Sequence, residues 1–163
     1  MPSRPLPYQP DICRLFSRFA AERRAVLLDS GSSSGRFDIF SAWPVRELRI
    51  DSDGIHRIDS DKNDQPLADL AALIEQLMTD QRDADDDLPF TGGWLGFAGF
   101  ELGYWLENAA GQPRQPGNLP LFQAGYYPWA VVQDHRQQCC QLVWREDIDP
   151  ALLARVERQL AGP

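Results

Sequence analysis

Apolar residues recur at helical spacing in three segments of this chain. The first predicted helix has Asp11 in place to cap its first turn, and its apolar face consists of Ile12, Leu15, Phe16, Phe19 and Ala20. The second begins with Pro66, which suits a first turn, and its face consists of Leu67, Leu70, Leu73, Ile74, Leu77 and Met78. The third begins at Asp149-Pro150, with a face of Leu152, Leu153, Val156 and Leu160.

Apolar or alternating stretches between these helices predict β-strands. They are Ala25–Leu28 as a buried strand, Arg36–Ala42, Glu47–Ile58, Tyr126–Gln133 and Cys139–Trp144. The third contains Asp53-Gly54, which suits a tight hairpin turn, and the last two predict a strand pair joined near His135-Arg136. Phe90–Leu106 adds a glycine-rich strand and turn. The order predicts an α+β fold of mainly antiparallel sheets flanked by helices, in a single domain over residues 1–163.

Length and charge narrow the possible partners. A chain of 163 residues with 43% hydrophobic residues suits one folded globular domain. Its net charge of -8 repels phosphate backbones and anionic lipid, so we expect no nucleic-acid partner. Phe90–Leu106 is nearly membrane-length, but Glu101 in its middle argues against a span, so we expect no membrane partner either.

The cysteines indicate the compartment. The chain has three cysteines and no apolar run of signal-peptide type at its start, which predicts a reducing, cytoplasmic environment. Cys139 and Cys140 are adjacent in a predicted strand, where successive side chains point to opposite faces. We therefore expect no disulfide between them.

Residues Gly31–Gly35 match Gly-x-Ser-x-Gly, the nucleophile elbow of hydrolases, with Ser33 at its centre. That elbow needs a helix directly after the serine, whereas Arg36–Phe40 is rich in strand formers. Asp134 and His135 could complete a triad, but adjacent residues rarely converge on one nucleophile. A hydrolase is therefore the least favoured alternative.

Metal-binding patterns are incomplete in this sequence. Asp59–Asp64 imitates the start of an EF-hand loop, but the sixth position is not glycine and the twelfth, Leu70, is not glutamate. His56 and His135 are far apart and have no cysteine at metal spacing. We expect no metal site.

Five glycines alternate with aromatic residues in one stretch, and they are Gly92, Gly93, Gly96, Gly99 and Gly103. Their spacing matches neither a dinucleotide-binding loop nor a phosphate loop. Glycines between large side chains let one backbone approach another closely, so this stretch predicts a tight packing junction.

Three longer stretches stand out in order along the chain, and they are Leu27–Gly31 with Gly35–Ile39, Leu88–Gly103, and Tyr127–Val132 with Asp134-His135. Together they resemble the amino-terminal region of the chorismate-binding family that contains anthranilate synthase and aminodeoxychorismate synthase component I. Arg36-Phe37-Asp38-Ile39 resembles the aminodeoxychorismate branch. Two features depart from the family pattern, a shortened loop before Arg36 and Phe100-Glu101 in place of Tyr-Asp.

The resemblance implies a parent enzyme that adds ammonia to chorismate, with Mg²⁺, to give 4-amino-4-deoxychorismate for 4-aminobenzoate and folate synthesis. A glutamine amidotransferase subunit would supply the ammonia. The family's catalytic and metal-binding residues lie in a carboxy-terminal chorismate-binding domain, which this sequence lacks. We therefore expect an inactive chain with no catalytic residue, metal or cofactor of its own. The alternatives are the amino-terminal portion of an anthranilate synthase, for tryptophan biosynthesis, and a stand-alone regulatory module that binds an aromatic amino acid.

The resemblance also implies a tryptophan pocket. Ser30 would hydrogen-bond the amino-acid head group, and the other side would be lined by Ser34, Gly35, Arg36 and Phe37. Serine hydroxyls and loop amides suit an ammonium and carboxylate pair. The alternative is that Arg36 is a salt-bridge partner and Ser30 only a turn residue.

In the family's layered sandwich, strands of this portion pack against the carboxy-terminal half. Without that half, Gly96–Phe100 and Trp129–Val132 would expose apolar side chains. Such patches and open strand edges favour association, so we expect a homodimer or higher oligomer.

Overall fold

The computed structural model describes residues 1–31, 35–51, 55–58, 65, 66, 72, 75, 88–106 and 119–162. The strands are β1 (Ser3–Leu6), β2 (Val26–Leu28), β3 (Phe37–Ser41), β4 (Arg46–Ile50), β5 (Ile55–Ile58), β6 (Gln65–Pro66), β7 (Gly93–Ala98), β8 (Phe122–Tyr127), β9 (Trp129–Asp134) and β10 (Cys139–Trp144). The helices with described bounds are α1 (Cys13–Phe16), α2 (Leu102–Leu106) and α3 (Pro150–Ala161). This composition, mostly antiparallel strands with a few helices, confirms the predicted fold class.

The chain divides into two compact units. The first comprises Met1–Pro44, Asp83–Gly93 and Tyr127–Pro163, and the second comprises Val45–Arg82 and Trp94–Tyr126. The assignment of residues 1–163 to one domain stays a prediction. No helix among the described residues is long and apolar enough to cross a membrane.

The first unit is built on a five-stranded sheet in the order β1-β10-β9-β3-β2, with every neighbouring pair antiparallel. Its core is aromatic. The ring of Phe19 lies 5.4 Å from that of Phe40, 5.5 Å from that of Trp43 and 5.4 Å from that of Trp129, centroid to centroid. Phe19, Phe40 and Trp129 are fully buried, so this cluster anchors the sheet.

The first predicted helix is shorter in the structure than the sequence indicates. Asp11 accepts a hydrogen bond from the backbone of Cys13 at 2.9 Å, as a capping residue would. After Phe16 the chain continues in turns, with the Phe19 amide bonded to the Phe16 carbonyl at 2.7 Å. The prediction of a helix as far as Ala20 is therefore wrong in extent. Where Phe19 enters the aromatic core, its amide bonds to the carbonyl three residues back and not four, as it would in an α-helix.

The last predicted helix is confirmed as α3. Asp149 caps it by accepting a hydrogen bond from the amide of Ala151 at 2.9 Å, and Pro150 occupies the first turn. Val156 and Leu160 are buried on its inner face.

The strand pair β9 and β10 is confirmed as an antiparallel hairpin. Cys139 is exposed and Cys140 buried, all three cysteines are free thiols, and burial raises the pKa of Cys140 to about 12. The strand predicted at Ala25–Leu28 forms, but it lies at the edge of the sheet and Leu28 is exposed. The expectation that it is buried is therefore wrong.

The second unit contains a sheet in the order β6-β5-β4-β8-β7. Antiparallel pairing of β4 with β5 confirms the predicted hairpin, although its turn at Asp53-Gly54 lies outside the described residues. Leu48, Trp94 and Ala124 form a buried cluster on this sheet. The second predicted helix falls mostly outside the described residues. Within it, Ala72 and Glu75 are described and are helical. The segment Asp59–Asp64 also lies outside them.

The tight junction predicted from the glycines is confirmed at Gly96. A Cβ added there would lie 2.0 Å from the carbonyl oxygen of Gln123 and 2.5 Å from the Cα of Ala124. Both atoms are backbone, so β7 can approach β8 this closely only with glycine at that position.

The expected exposure of two apolar stretches is only half correct. Phe97 is 47% exposed and Phe100 is 85% exposed. In contrast, every residue of Trp129–Val132 is buried. That expectation is wrong because β9 is a central strand, hydrogen-bonded to β10 on one edge and β3 on the other.

Candidate functional site

The loop between β2 and β3 has its two ends in contact. Ser30 follows β2 and Gly35 precedes β3, while Ser34, a predicted pocket residue, lies outside the described residues together with Ser32 and Ser33. A Cβ added to Gly35 would lie 2.2 Å from the Cβ of Ser30 and 2.8 Å from its carbonyl oxygen. Only glycine fits there, so Gly35 closes the loop against Ser30.

Ser30 has one satisfied and one unsatisfied polar group. Its backbone N–H donates to Oδ1 of Asp38 at 2.9 Å. Its hydroxyl oxygen is buried and finds no hydrogen-bond partner of normal geometry among the described residues, although it is close enough to Asp38 to stabilise that carboxylate. The family resemblance implies this hydroxyl as the head-group contact, and that role stays a prediction.

Arg36 is bound to Asp134. Its Nε and Nη2 atoms lie 2.9 and 2.8 Å from the same carboxylate oxygen, Oδ2. The other oxygen accepts backbone N–H groups of Arg136 at 2.8 Å and Gln137 at 3.1 Å. Burial acts to raise the pKa of Asp134, but these donors outweigh it and hold the pKa below the ordinary aspartate value. The salt-bridge alternative for Arg36 therefore has a partner, while a role in ligand binding stays a prediction.

Phe37 stacks against its neighbour. The guanidinium carbon of Arg36 lies 4.4 Å from the centroid of the Phe37 ring, so one ring face is covered by a cation. Side chains alternate across a strand, which places Phe37 on the face of β3 opposite Asp38. The structure thus forms two pairs from the predicted residues, Ser30 with Gly35 and Arg36 with Phe37.

Sequence reasoning missed a chain of polar contacts behind Ser30. Oδ2 of Asp38 lies 2.7 Å from Nε2 of His135, and Nδ1 of His135 lies 3.0 Å from the hydroxyl oxygen of Tyr8. Burial acts to raise the pKa of Asp38, but hydrogen bonds from Ser30 and His135 outweigh it and lower that pKa. One signal was available, because Asp38 shares its face of β3 with Phe40, and a carboxylate on an apolar strand face requires a buried partner.

The triad considered for a hydrolase does not assemble among the described residues. Asp134 contacts Arg36, whereas the neighbouring His135 contacts Asp38 and Tyr8. The two side chains are engaged separately, and Ser33 lies outside the described residues.

Metal ligands are not gathered in the described part of the chain. There, no three His, Cys, Asp or Glu side chains are placed to hold a metal ion. The carboxylates of Asp38 and Asp134 are already taken up by N–H donors. These residues do not fit the Mg²⁺ that the family resemblance implies for the parent enzyme.

A cleft of about 260 Å³ opens beside Asp134. Its lining is mixed, with Ser3, Gln137 and Gln141 among the polar residues and Val132 among the apolar ones. Val132 and Asp134 alternate along β9 with Val131, which packs in the aromatic core. The cleft therefore opens on the sheet face away from that core.

Comparison with known proteins places the chain beside chorismate-using synthases, although no family model matches it. It is 32% identical over 155 residues to aminodeoxychorismate synthase component 1 of Escherichia coli, covering 91% of this chain and 34% of the relative. It is 33% identical over 154 residues to the Salmonella typhimurium protein of the same name, covering 88% and 33%. Anthranilate synthase component 1 of Lactococcus lactis is 27% identical over 130 residues, covering 77% and 27%.

A solved structure supports the fold. Anthranilate synthase component I from Streptococcus pneumoniae matches with a TM-score of 0.59 and 21% identity, over 86% of this chain and 32% of that chain. The chain spans about one third of the length of the curated relatives it matches. The higher identity to the aminodeoxychorismate relatives agrees with the resemblance of Arg36–Ile39 to that branch. The chain is thus homologous to component I of aminodeoxychorismate and anthranilate synthases over about one third of their length.

Proposed function

We propose that this chain is the amino-terminal, non-catalytic portion of an aminodeoxychorismate synthase component I. The observation that carries the proposal is its identity of about 32% to one third of such proteins. In the parent, a carboxy-terminal domain would add ammonia to chorismate with Mg²⁺, and an amidotransferase subunit would supply the ammonia. The proposed location is the cytoplasm.

The role proposed for this portion is to carry part of a tryptophan pocket. The buried hydroxyl of Ser30 can bond the amino-acid head group. Gly35 has no side chain, so its backbone can lie directly against Ser30. The positive charge of Arg36 is paired with the carboxylate of Asp134. Arg36 would therefore act on a ligand through hydrogen bonds from its guanidinium N–H groups more than through a free positive charge.

A partial pocket gives weak affinity. An indole ring left partly in water forfeits much of its burial energy, about 25 cal/mol per Å² of apolar surface. The entropy cost of association is not reduced in proportion. We expect the isolated chain to bind tryptophan with a dissociation constant of roughly millimolar or weaker.

The test is a titration of ¹⁵N-labelled chain with tryptophan, followed by NMR and calorimetry. Any binding should weaken in Ser30→Ala and in Arg36→Ala. Arg49→Ala is the matched control, because Arg49 also binds an aspartate, Asp51 at 2.7 Å, and its side chain is 36% exposed against 37% for Arg36. Micromolar binding by the isolated chain would contradict the proposal and favour a stand-alone regulatory module.

A further inference from the structure

Asp38 is a buried carboxylate with a specific use for each oxygen. It is 3% exposed and is the second residue of β3. Oδ1 accepts the backbone N–H of Ser30 at 2.9 Å, and Oδ2 lies 2.7 Å from Nε2 of His135. Hydrogen bonds to a charged acceptor are stronger than those between neutral groups. The Ser30 amide is therefore bonded to one oxygen of a carboxylate whose other oxygen contacts His135.

His135 is fixed at three points. Its Nε2 faces Asp38, its Nδ1 lies 3.0 Å from the hydroxyl of Tyr8, and its backbone N–H donates to the carbonyl of Arg36 at 2.8 Å. The Tyr8 and His135 rings meet edge to face, with centroids 6.0 Å apart. Because an ionised carboxylate can only accept, a neutral His135 must carry its proton on Nε2, and the Tyr8 hydroxyl must donate to Nδ1.

We propose that Asp38 is a positioning residue for the candidate amino-acid site, and that His135 and Tyr8 hold its carboxylate in the orientation that fixes Ser30. This inference rests on the proposed function of the Ser30 loop. These contacts link Tyr8 near the start of the chain, through His135 directly after β9, to a loop that bears the predicted ligand contacts. Asp38, His135 and Tyr8 need not touch the ligand, because they act on it through Ser30.

The first test needs no ligand. Asp38→Asn keeps the side-chain volume, but its amide cannot accept both the Ser30 N–H and an Nε2–H of His135. The Ser30 amide proton should therefore move upfield as its bond to a charged acceptor is lost, or the imidazole proton should move to Nδ1 and be donated to Tyr8. Amide spectra report the first change, and ¹⁵N shifts of the imidazole, which distinguish a protonated from an unprotonated ring nitrogen, report the second. If neither changes, or if the wild-type ring carries its proton on Nδ1, the proposal is overturned.

The second test uses tryptophan with the same variants. If the wild-type chain binds, Asp38→Asn and His135→Ala should raise the dissociation constant about threefold or more. His135→Gln keeps a side-chain N–H able to reach Asp38, so it should raise the dissociation constant less than His135→Ala does. Asp51→Asn is the control. Unchanged binding in Asp38→Asn would overturn the positioning role. If the wild-type chain binds no tryptophan, the proposed function fails, while the ligand-free spectra still decide whether Asp38 fixes Ser30.

Discussion

Nη2 of Arg36 lies 2.8 Å from a carboxylate oxygen of Asp134, where β3 begins and β9 ends. The two partners are unequally buried, since the Arg36 side chain is 37% exposed and that of Asp134 is 6% exposed. A buried carboxylate depends on its donors more than an exposed guanidinium depends on its acceptor. The pair should therefore matter chiefly for keeping Asp134 satisfied.

Arg36→Ala should lower the free energy of unfolding by about 1–2 kcal/mol, because it leaves the buried carboxylate of Asp134 with backbone donors alone. Urea denaturation measures the change. Arg4→Ala is the control, since Arg4 pairs with Glu157 and their side chains are 43% and 40% exposed. That variant should change stability by no more than about 0.5 kcal/mol. Equal effects of the two substitutions would show that burial of Asp134 does not determine how much its ion pair adds to the free energy of unfolding.

Acid should destabilise the protein through Asp38 and Asp134. The pKa of each is lowered in the folded state, so the unfolded chain binds more protons as the pH approaches about 4. The stabilisation is complete above the unfolded pKa and is lost as the pH falls through the folded pKa. Unfolding free energies from about pH 6 to pH 3 should show this loss, and Asp134→Asn should reduce the slope. An unchanged slope in Asp134→Asn would refute the assignment.

Gly96→Ala should destabilise the chain by about 3 kcal/mol, because the new Cβ would overlap backbone atoms of Gln123 and Ala124 that cannot easily withdraw. Gly103→Ala is the matched control. It lies in α2, a Cβ there meets no heavy atom within 4 Å, and alanine favours a helix over glycine by about 1 kcal/mol. Thermal unfolding of both variants should separate them, and a Gly96→Ala protein as stable as the wild type would rule out the close approach of β7 to β8.

Association should depend on the exposed aromatic residues of the second unit. Phe97 and Phe100 are both exposed, and exposed apolar patches favour contact between copies. Light scattering at micromolar concentration should show more than one chain per particle, and Phe97→Asp should shift the distribution toward monomer. Val45→Asp, at another exposed apolar residue, should have no such effect. A wild-type monomer that Phe97→Asp leaves unchanged would contradict the expectation.

Elements governed by local rules were predictable from the sequence. The cap at Asp149 and the apolar face of α3 need only neighbouring residues, and the hairpin of β9 and β10 needs only alternation and a turn. Strand β1 was missed because its partner is distant, with Arg4 opposite Leu142 on β10. Nothing in the proline-rich start of the chain indicates that pairing.

The candidate site was only partly predictable for the same reason. Resemblance selected Ser30 and Arg36, but it gave no partner for either side chain. Asp38 and His135 are 97 positions apart in the chain, and β3 meets β9 only after the sheet has formed. The contact that holds Asp38, and through it Ser30, is therefore tertiary, and no local pattern identifies His135 as the partner.

We propose that this chain contributes structure and not catalysis to its parent enzyme. The direct measurement incubates the purified chain with chorismate, ammonium and Mg²⁺, with and without an amidotransferase subunit. Component 1 from Escherichia coli serves as the active control in the same assay. We expect no 4-amino-4-deoxychorismate above the buffer blank, because the family resemblance places the catalytic residues in the proposed carboxy-terminal domain. Formation of that product by the purified chain would contradict the account.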